Sequence, residues 1–352
     1  MFEFLDNEIS VWQRLAQCGL PVVLYGMGDG ADKVLSAFDR FGITASGVMA
    51  SDGFVRGQSF HGFTVKTLSQ LEDELGDFAV ALCFAAQLPE VMDNIRRVAS
   101  RHTLLAPPVP AFGDVLFDSD FVAAHRAQFQ AAYETLADEQ SRRVFCNVLR
   151  FYHTGDIRLL DEIATPKSEA FDSILRLGGD ELYVDLGAYN GDTIDEFLTY
   201  SGGSYRGIVA LEPNEKNYKK LCAHCSELAD TRLLQLGAWS RDCVLTFNNK
   251  AGRNSAVSDT GVDTRVTALD ALLCGAAVTY IKADVEGADR EALSGMKNTL
   301  KSHKPKLNFS AYHRFEDIFG LPLLVKELNP DYKIFMRHHP YFPAWDTNIY
   351  CI

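Results

Sequence analysis

Apolar runs alternate with stretches of helical spacing along residues 21–106. The runs "PVVLY", "TASGVM" and "FAVALCF" are typical of buried strands, and "GADKVLSAFDRFG", "TLSQLEDELG" and "LPEVMDNIRRVASR" are typical of helices. This rhythm predicts a parallel sheet covered by helices on both faces. Three prolines in "LLAPPVPAFGD" at 104–114 then indicate a break. We therefore predict a small α/β domain over residues 1–112.

The pattern changes to purely helical spacing over residues 118–177, which contain no convincing strand. Here "DFVAAHRAQFQAAYETL", "DEQSRRVFCNVLRFYH" and "SEAFDSILRL" predict a helical connector over residues 113–178. The strand–helix rhythm returns from residue 181 with "ELYVDLGAYNGDTIDEFLTYS" and "GIVALEPNEKNYKKL". It predicts a second α/β domain over residues 179–352, built on a doubly wound, mostly parallel sheet.

Charge and composition narrow the choice of partners. The 352 residues include 34 Lys and Arg against 47 Asp and Glu, a net charge of −13, which argues against nucleic acid and anionic membranes. The longest uncharged apolar stretch, "FAVALCFAA", is far shorter than the roughly 20 residues of a membrane span. The acidic beginning of the chain does not resemble an export signal. We predict a cytoplasmic protein with reduced thiols that acts on a small molecule. The sequence leaves open whether the protein forms a homo-oligomer.

The first glycine-rich turn, "VVLYGMGDGADK", resembles a dinucleotide-binding turn. Gly26, Gly28 and Ala31 fit the pattern G-x-G-x-x-A. A carboxylate at the end of the second strand normally binds the ribose, but Ala50 stands there and Asp52 comes two residues later. We predict an accessory Rossmann-like domain. The alternative is an NAD- or nucleotide-sugar-binding oxidoreductase, or a binding protein without catalysis.

The second glycine-rich turn, "VDLGAYNGDT", has the partners that the first one lacks. Asp185 ends a strand, and Gly187 and Gly191 follow before a helix. Glu212 ends the next strand about 20 residues beyond the turn, as expected for a ribose-binding acid. The combination of these residues in a strand–turn–helix context predicts a cofactor site here.

Several segments resemble known methyltransferases. "YVDLGAYNGDT" followed by "LEPN" resembles the S-adenosylmethionine loop and acidic strand end of the class I enzymes. "TRVTALDALL", "YIKADVEGADREALSGM" and "NFSAYHRFEDI" resemble the FkbM family of methyltransferases, so that the likeness covers residues 181 to about 340. This resemblance implies the class I methyltransferase fold. It also implies methyl transfer from S-adenosyl-L-methionine to an oxygen, often a sugar or polyketide hydroxyl.

The resemblance also implies which residues bind the cofactor. They would line its methionine part, hold its ribose and flank its adenine: Asp185, Gly187, Ala188, Asn190, Gly191, Glu212, Pro213, Ala238, Trp239 and Asp284. The family has a further acid after its Glu-Gly pair, which is Asp289 or Glu291 here. The segment "GRNSAVSD" at 252–259 resembles a loop that closes over the site.

Candidate catalytic residues cluster near the end of the strand in "YIKADVEG". Alternation along a strand predicts Lys282, Asp284 and Glu286 on one face, beside the strand that ends in Asp185. His313 of "SAYHRF" is the predicted general base that takes the proton of an acceptor hydroxyl, with Asp284 or Glu286 orienting it. Alternatively, Asp284, Glu286 and His313 hold a divalent cation that lowers the pKa of the hydroxyl.

The segment "MRHHPYFPAW" contributes candidate acceptor contacts. Tyr341, Phe342 and Trp345 are predicted to line an acceptor pocket, since sugars pack on aromatic faces. The neighbours His338 and His339 face opposite sides of a strand, so at most one of them can join the site.

Overall fold

A computed structural model describes residues 2–247 and 262–352, so the predicted closing loop at 252–259 lies outside the described residues. The first part of the chain forms a six-stranded sheet in the order β3-β4-β2-β1-β5-β6, parallel except for the β3–β4 hairpin. Its strands are β1 (Val22–Tyr25), β2 (Ala45–Met49), β3 (Ser59–Phe60), β4 (Phe63–Lys66), β5 (Ala79–Leu82) and β6 (Thr103–Leu105). Its helices are α1 (Phe4–Asn7), α2 (Val11–Gln17), α3 (Asp29–Phe41), α4 (Leu68–Leu75) and α5 (Pro89–Ala99).

Both faces of this first sheet are covered, because β1 and β5 bury side chains on each side. Val34 and Phe38 of α3 pack in the core on one face, and Met92 and Ile95 of α5 pack in the core on the other. The α/β rhythm predicted for residues 21–106 is therefore present. The pattern did not predict the short strands β3, β4 and β6, which have few alternating apolar positions.

Residues 113–178 are helical, as the spacing predicts. They form α6 (Ser119–Thr135), α7 (Glu139–Thr154), α8 (Arg158–Asp161), α9 (Lys167–Ala170) and a π-helical turn at Phe171–Leu175. These helices lie against the second sheet: the buried Arg337 of that sheet binds Asp138 at 2.8 Å, beside α7, and Glu169 at 3.2 Å, on α9. A charge buried between elements is stabilising only while it is paired, so this network fixes the helices on the sheet.

The second sheet has seven strands in the order β15-β16-β14-β13-β7-β8-β9. All neighbours are parallel except β16, which runs antiparallel to both β14 and β15. Its strands are β7 (Leu182–Leu186), β8 (Gly207–Leu211), β9 (Thr231–Leu234), β13 (Tyr280–Ala283), β14 (Lys306–Ser310), β15 (Ile334–His338) and β16 (Thr347–Cys351). A separate small sheet contains β10 (Gly237–Ala238), β11 (Cys243–Phe247) and β12 (Val262–Thr267).

The predicted fold class is confirmed by this order. The connecting helices are α10 (Asp192–Tyr200), α11 (Glu215–His224), α12 (Leu269–Leu273), α13 (Asp289–Ser294), α14 (Lys297–His303) and α15 (Asp317–Leu328). The strand order reverses between β7 and β13, where Asp185 lies opposite Lys282. In open α/β sheets, ligands bind beyond the carboxyl ends of strands at such a reversal.

One local prediction is wrong. The sequence predicts a strand that carries Lys282, Asp284 and Glu286 on one face, but β13 ends at Ala283. Glu286 lies in a turn with the left-handed value φ +54°, which costs a residue with a side chain about 1–3 kcal/mol. Asp284 and Glu286 therefore lie on a loop after β13.

A single apolar core connects the two sheets. It includes Val80 of β5, Phe145 of α7 and Leu307 of β14, all of them fully buried. The residues 2–247 and 262–352 include no helix long and apolar enough to cross a membrane.

Candidate active site

The buried carboxylate Asp185 lies at the centre of the predicted cofactor side. The Thr193 hydroxyl donates a hydrogen bond to Asp185 Oδ2, and Lys282 Nζ lies 3.3 Å from Asp185 Oδ1. Lys282 Nζ also donates to the carbonyl of Gly187 at 3.0 Å. The contact between Lys282 and Asp185 is an ion pair without hydrogen-bond alignment, which leaves Oδ1 with unused acceptor capacity. Burial lowers the pKa of Lys282, but the charges of Asp185 and Asp284 together outweigh burial and raise that pKa, which favours the charged ammonium.

The turn after β7 must contain glycine where it meets the loop after β13. Gly187 has φ +84°, and a Cβ there would lie 2.0 Å from the carbonyl oxygen of Asp284. Gly191 has φ +99°, and a Cβ there would lie 2.7 Å from the His224 ring. Both positions need the freedom of glycine and the close approach that it allows. The cofactor turn is consequently in backbone contact with Asp284.

Glu212 lies directly after β8 and is 6% exposed. Its two carboxylate oxygens accept hydrogen bonds from the backbone N–H groups of Tyr189, at 3.0 Å, and Asn214, at 2.8 Å. Burial raises the pKa of Glu212, because the charged form loses solvation. The neighbouring Pro213 lies beside Gly237, where an added Cβ would be 3.8 Å from the proline Cβ.

The remaining residues predicted to bind the cofactor surround the same edge of the sheet. The N–H of Ala188 donates to the carbonyl of Leu211 at 3.0 Å, and Asn190 accepts from the N–H of Asp192. Ala238 is buried in β10. The partly exposed Trp239 donates its backbone N–H to the carbonyl of Thr267 at 2.8 Å. Their roles toward a cofactor stay predictions.

His313 lies between two carboxylates and is 1% exposed. Its Nδ1 is 2.8 Å from Asp289 Oδ2, and its Nε2 is 2.9 Å from Asp284 Oδ1. The Tyr312 hydroxyl donates to Asp284 Oδ2 at 3.3 Å. Of the two acids that the family resemblance left open, the structure thus brings Asp289 to the imidazole.

This arrangement changes the role expected of His313. Burial lowers its pKa, but the charge of Asp289 and the contacts with Asp284 outweigh burial and hold the pKa of His313 well above its ordinary value. The two carboxylates thus favour the protonated imidazole, which is not a proton acceptor. Burial raises the pKa of Asp284, yet His313 and Lys282 outweigh it and hold that pKa well below its usual range.

Glu286 and Lys282 lie on different sides of Asp284. The Glu286 side chain is 42% exposed, and its Oε2 is 3.9 Å from His313 Nε2. Lys282 instead contacts Asp185 and the turn at Gly187, as described above. The structure thus places Glu286 at the mouth of the His313 site and Lys282 on the cofactor side.

Behind His313 lies a second buried acid, Asp317, which is 2% exposed. Burial and the charge of Asp289 raise the pKa of Asp317 to about 7. Ligand-type atoms of Asp289, His313 and Asp317 lie within 4.8 Å of one another, a different set from the predicted cation ligands Asp284, Glu286 and His313. The imidazolium already provides positive charge between Asp284 and Asp289.

Aromatic side chains form a row that begins at Tyr312, next to Asp284. The rings of Tyr312 and Trp345 are 6.3 Å apart at 22°, and those of Tyr341 and Trp345 are 6.0 Å apart. All three side chains are partly exposed. Phe342 was predicted to join them, but it is 1% exposed and packs under Arg96 instead.

His338, the last residue of β15, and His339 after it are both buried. His338 Nδ1 lies 3.0 Å from the Thr347 hydroxyl. His339 lies 2.8 Å from the carbonyl of Thr165 and 2.7 Å from the Tyr350 hydroxyl. These contacts support a structural role for both.

Sequence reasoning missed four side chains at or beside the site. Tyr312 is adjacent to His313, and Asp317 follows it by four residues, which is a helical spacing that could have been noticed. Thr193 belongs to the second glycine-rich turn, eight residues after Asp185, and its place in that motif is a local signal. Phe112 carries no such signal, because only a tertiary contact brings it to His313.

Comparisons with known proteins found one matching family and one solved structure similar to the whole chain. Residues 185–345 match the family described as the methyltransferase FkbM domain. The whole chain resembles the crystal structure of methyltransferase FkbM from Methylobacillus flagellatus KT, with a TM-score of 0.72, 22% identity, and coverage of 100% of this chain and 92% of that one. The comparison with curated proteins found no match.

Two further solved structures resemble about half of the chain. Fibrillarin from Aeropyrum pernix, in complex with natively bound S-adenosyl-L-methionine, has a TM-score of 0.35 and 10% identity over 53% of this chain and 72% of that one. An rRNA methylase from Streptococcus thermophilus has a TM-score of 0.34 and 14% identity over 54% of this chain and 96% of that one.

Proposed function

We propose that the protein is an S-adenosylmethionine-dependent O-methyltransferase that acts on a hydroxyl of a sugar or similar polyhydroxylated small molecule. The observation that supports it most is the backbone contact between Gly187 and Asp284. This contact joins a turn suited to the cofactor with a carboxylate suited to an acceptor hydroxyl. The FkbM match over residues 185–345 supports methyl transfer as the reaction.

The residues of the turn fit the parts of this cofactor. Glu212 accepts one N–H at each oxygen, and a carboxylate has about four acceptor sites, so it retains capacity for two ribose hydroxyls. The buried Oδ1 of Asp185 has unused capacity for the ammonium of the methionine part. When bound, the cofactor supplies an electrophilic methyl group on a sulfonium.

Asp284 is the proton acceptor in this proposal, in place of the predicted His313. The hydroxyl oxygen forms its new bond to the methyl carbon, the carbon–sulfur electron pair stays with sulfur, and the hydroxyl proton passes to Asp284. A carboxylate with a low pKa suffices, because the oxygen loses its proton as it gains a bond to carbon. His313 is already protonated, and it orients Asp284 from 2.9 Å.

The acceptor side favours a molecule with several hydroxyl groups. The partly exposed rings of Tyr312, Tyr341 and Trp345 offer faces on which a sugar ring packs. The carboxylates of Asp284 and Glu286 offer hydrogen-bond acceptors for hydroxyls at the same place.

Calorimetric titration with S-adenosylmethionine and S-adenosylhomocysteine tests the cofactor assignment. We expect both to bind the wild type, and Glu212→Gln to weaken binding about 10- to 100-fold through lost charged hydrogen bonds. Glu215→Gln, on the exposed start of α11, is the matched control and should change the Kd less than about twofold. Absence of binding to the wild type would contradict the proposal.

Transfer of a labelled methyl group tests the acceptor class. Glycosides, free sugars and nucleotide-linked sugars are each incubated with the protein and methyl-labelled S-adenosylmethionine, and phenolic compounds serve as the contrasting class. We expect label in at least one sugar-containing acceptor. Label only in phenols would contradict the sugar assignment and leave the methyltransferase assignment standing.

A further inference from the structure

Two segments of the first α/β region reach the methyl-transfer site. The backbone of Ala86, after β5, pairs in both directions with Phe342, the residue after Tyr341. The second segment, residues 110–112, follows β6 and ends at His313. The carboxyl edge of the first sheet therefore faces the acceptor side of the second sheet.

Phe112 is the residue of this segment that contacts the site. Its N–H donates to the carbonyl of His313 at 3.2 Å, and its ring lies edge-on to the imidazole with centroids 5.6 Å apart. A Cβ at Gly287 would lie 3.2 Å from Phe112 Cγ, so the ring also contacts the turn that carries Glu286. Phe112 is 5% exposed and shields the imidazole from water on that side.

Lys33 fixes the position of this segment. It lies on α3, the helix that begins after the first glycine turn, and its Nζ donates to the carbonyls of Pro110 at 3.1 Å and Ala111 at 3.0 Å. Asp29, one turn earlier on the same helix, lies 3.0 Å from Nζ and balances the charge. Three oxygen partners hold one ammonium, and hydrogen bonds to charged donors are among the stronger ones in proteins.

From these contacts we propose that Lys33 and Phe112 are positioning residues of the methyl-transfer site. Lys33 holds residues 110–112 in place. Phe112 then fixes the His313 ring and excludes water from it, and His313 in turn orients Asp284. This inference rests on the proposed function. It gives the helix after the first glycine turn a task in the second half of the chain.

Hydrogen exchange of the His313 ring N–H tests the contact without an acceptor. Spectra of nitrogen-labelled protein show the histidine N–H signals, and the signal lost in His313→Gln identifies His313. We expect Lys33→Met and Phe112→Ala to speed its exchange at least about tenfold, because local opening becomes easier. Lys33→Arg should restore the wild-type rate to within about twofold, since it keeps the charge and its donors.

The control variant is Lys66→Met, which removes another lysine ion pair, with Glu74, in the same α/β region. We expect it to leave the His313 exchange rate unchanged. With an acceptor from the labelling screen, Lys33→Met should lower kcat about tenfold and leave the KM for S-adenosylmethionine within about twofold, as expected for a misplaced catalytic group.

Unchanged His313 exchange in both Lys33→Met and Phe112→Ala would overturn the inference. Failure of the proposed function gives a different result: the wild type would not bind S-adenosylhomocysteine, whereas the exchange rates would still respond to Lys33. Phe112→Leu keeps an apolar side chain in place and serves if Phe112→Ala does not fold, with a smaller increase in exchange expected.

Discussion

The two glycine turns of this protein make the same backbone hydrogen bond to a neighbouring strand, but the side chains around them are very different. The N–H of Gly26 donates to the carbonyl of Met49, the last residue of β2, at 3.0 Å. The N–H of Gly187 donates to the carbonyl of Leu211, the last residue of β8, also at 3.0 Å. Both glycines have positive φ, +122° and +84°. Each turn also leads into a helix.

The difference lies in the residues that follow the two neighbouring strands. After the second strand of each unit comes Ala50 in the first and Glu212 in the second, both 6% exposed. After the adjacent strand comes Cys83 in the first and Asp284 in the second. Each of these two carbonyls blocks a Cβ on a nearby glycine, 2.2 Å from Gly30 and 2.0 Å from Gly187. Each glycine therefore makes room for the carbonyl of a neighbouring strand end, and only the second turn has carboxylates at the strand ends beside it.

The largest effect should come from the acid that only the second turn has. Asp284→Asn removes the proposed proton acceptor, and we expect kcat to fall about 10²- to 10⁴-fold, the usual contribution of general base catalysis. Asp52→Asn, the displaced acid near the first turn, should leave kcat unchanged. Steady-state kinetics with the acceptor from the labelling screen measures both. Equal losses of kcat in the two variants would mean that the acid beside the second turn has no special role in catalysis.

A smaller effect should separate the turns themselves. Gly187→Ala places a Cβ 2.0 Å from the Asp284 carbonyl at φ +84°, and we expect it to lower the free energy of unfolding by about 2–5 kcal/mol. A Cβ at Gly28 meets nothing within 4 Å, so Gly28→Ala should change that energy by less than about 0.5 kcal/mol. Urea denaturation measures both variants. A neutral Gly187→Ala would show that the loop after β13 relaxes.

The smallest effect concerns the acid behind His313. The pKa of Asp317 is raised to about 7, so the folded protein keeps this proton over a range where the unfolded chain has lost it. The Asp317 contribution to stability therefore decreases as the pH rises from about 4 to about 7. The side chain of the Asp317→Asn variant cannot ionise. We therefore expect the stability of this variant relative to the wild type to be about 1–2 kcal/mol greater at pH 8 than at pH 5.

Urea denaturation at the two pH values tests this expectation. Asp120→Asn, on the exposed side of α6, is the control, and its effect should be the same at both pH values. An Asp317→Asn effect that does not depend on pH would mean that Asp317 is ionised throughout, and the charge balance around His313 would need revision.

The sequence predicts more of the fold than of the candidate site. Buried strands and amphipathic helices leave local patterns, and the acids Asp185, Glu212 and Asp284 stand at strand ends that those patterns mark. The charge state of His313 depends on Asp284 and Asp289, which belong to different elements from it. No spacing along the chain predicts that both carboxylates face one imidazole, so the sequence alone could not indicate the charge that His313 carries.

The shared apolar core has a consequence for the history of the chain. Phe145 of α7 lies in the same core as Val80 of the first sheet and Leu307 of the second, so one face of each sheet is buried in an interior that both share. Modules that recombine freely usually meet through small, polar interfaces. If the first region were exchanged for an unrelated one, apolar side chains of the second region would become exposed to water. The two halves are thus expected to have been inherited together, as one unit of selection.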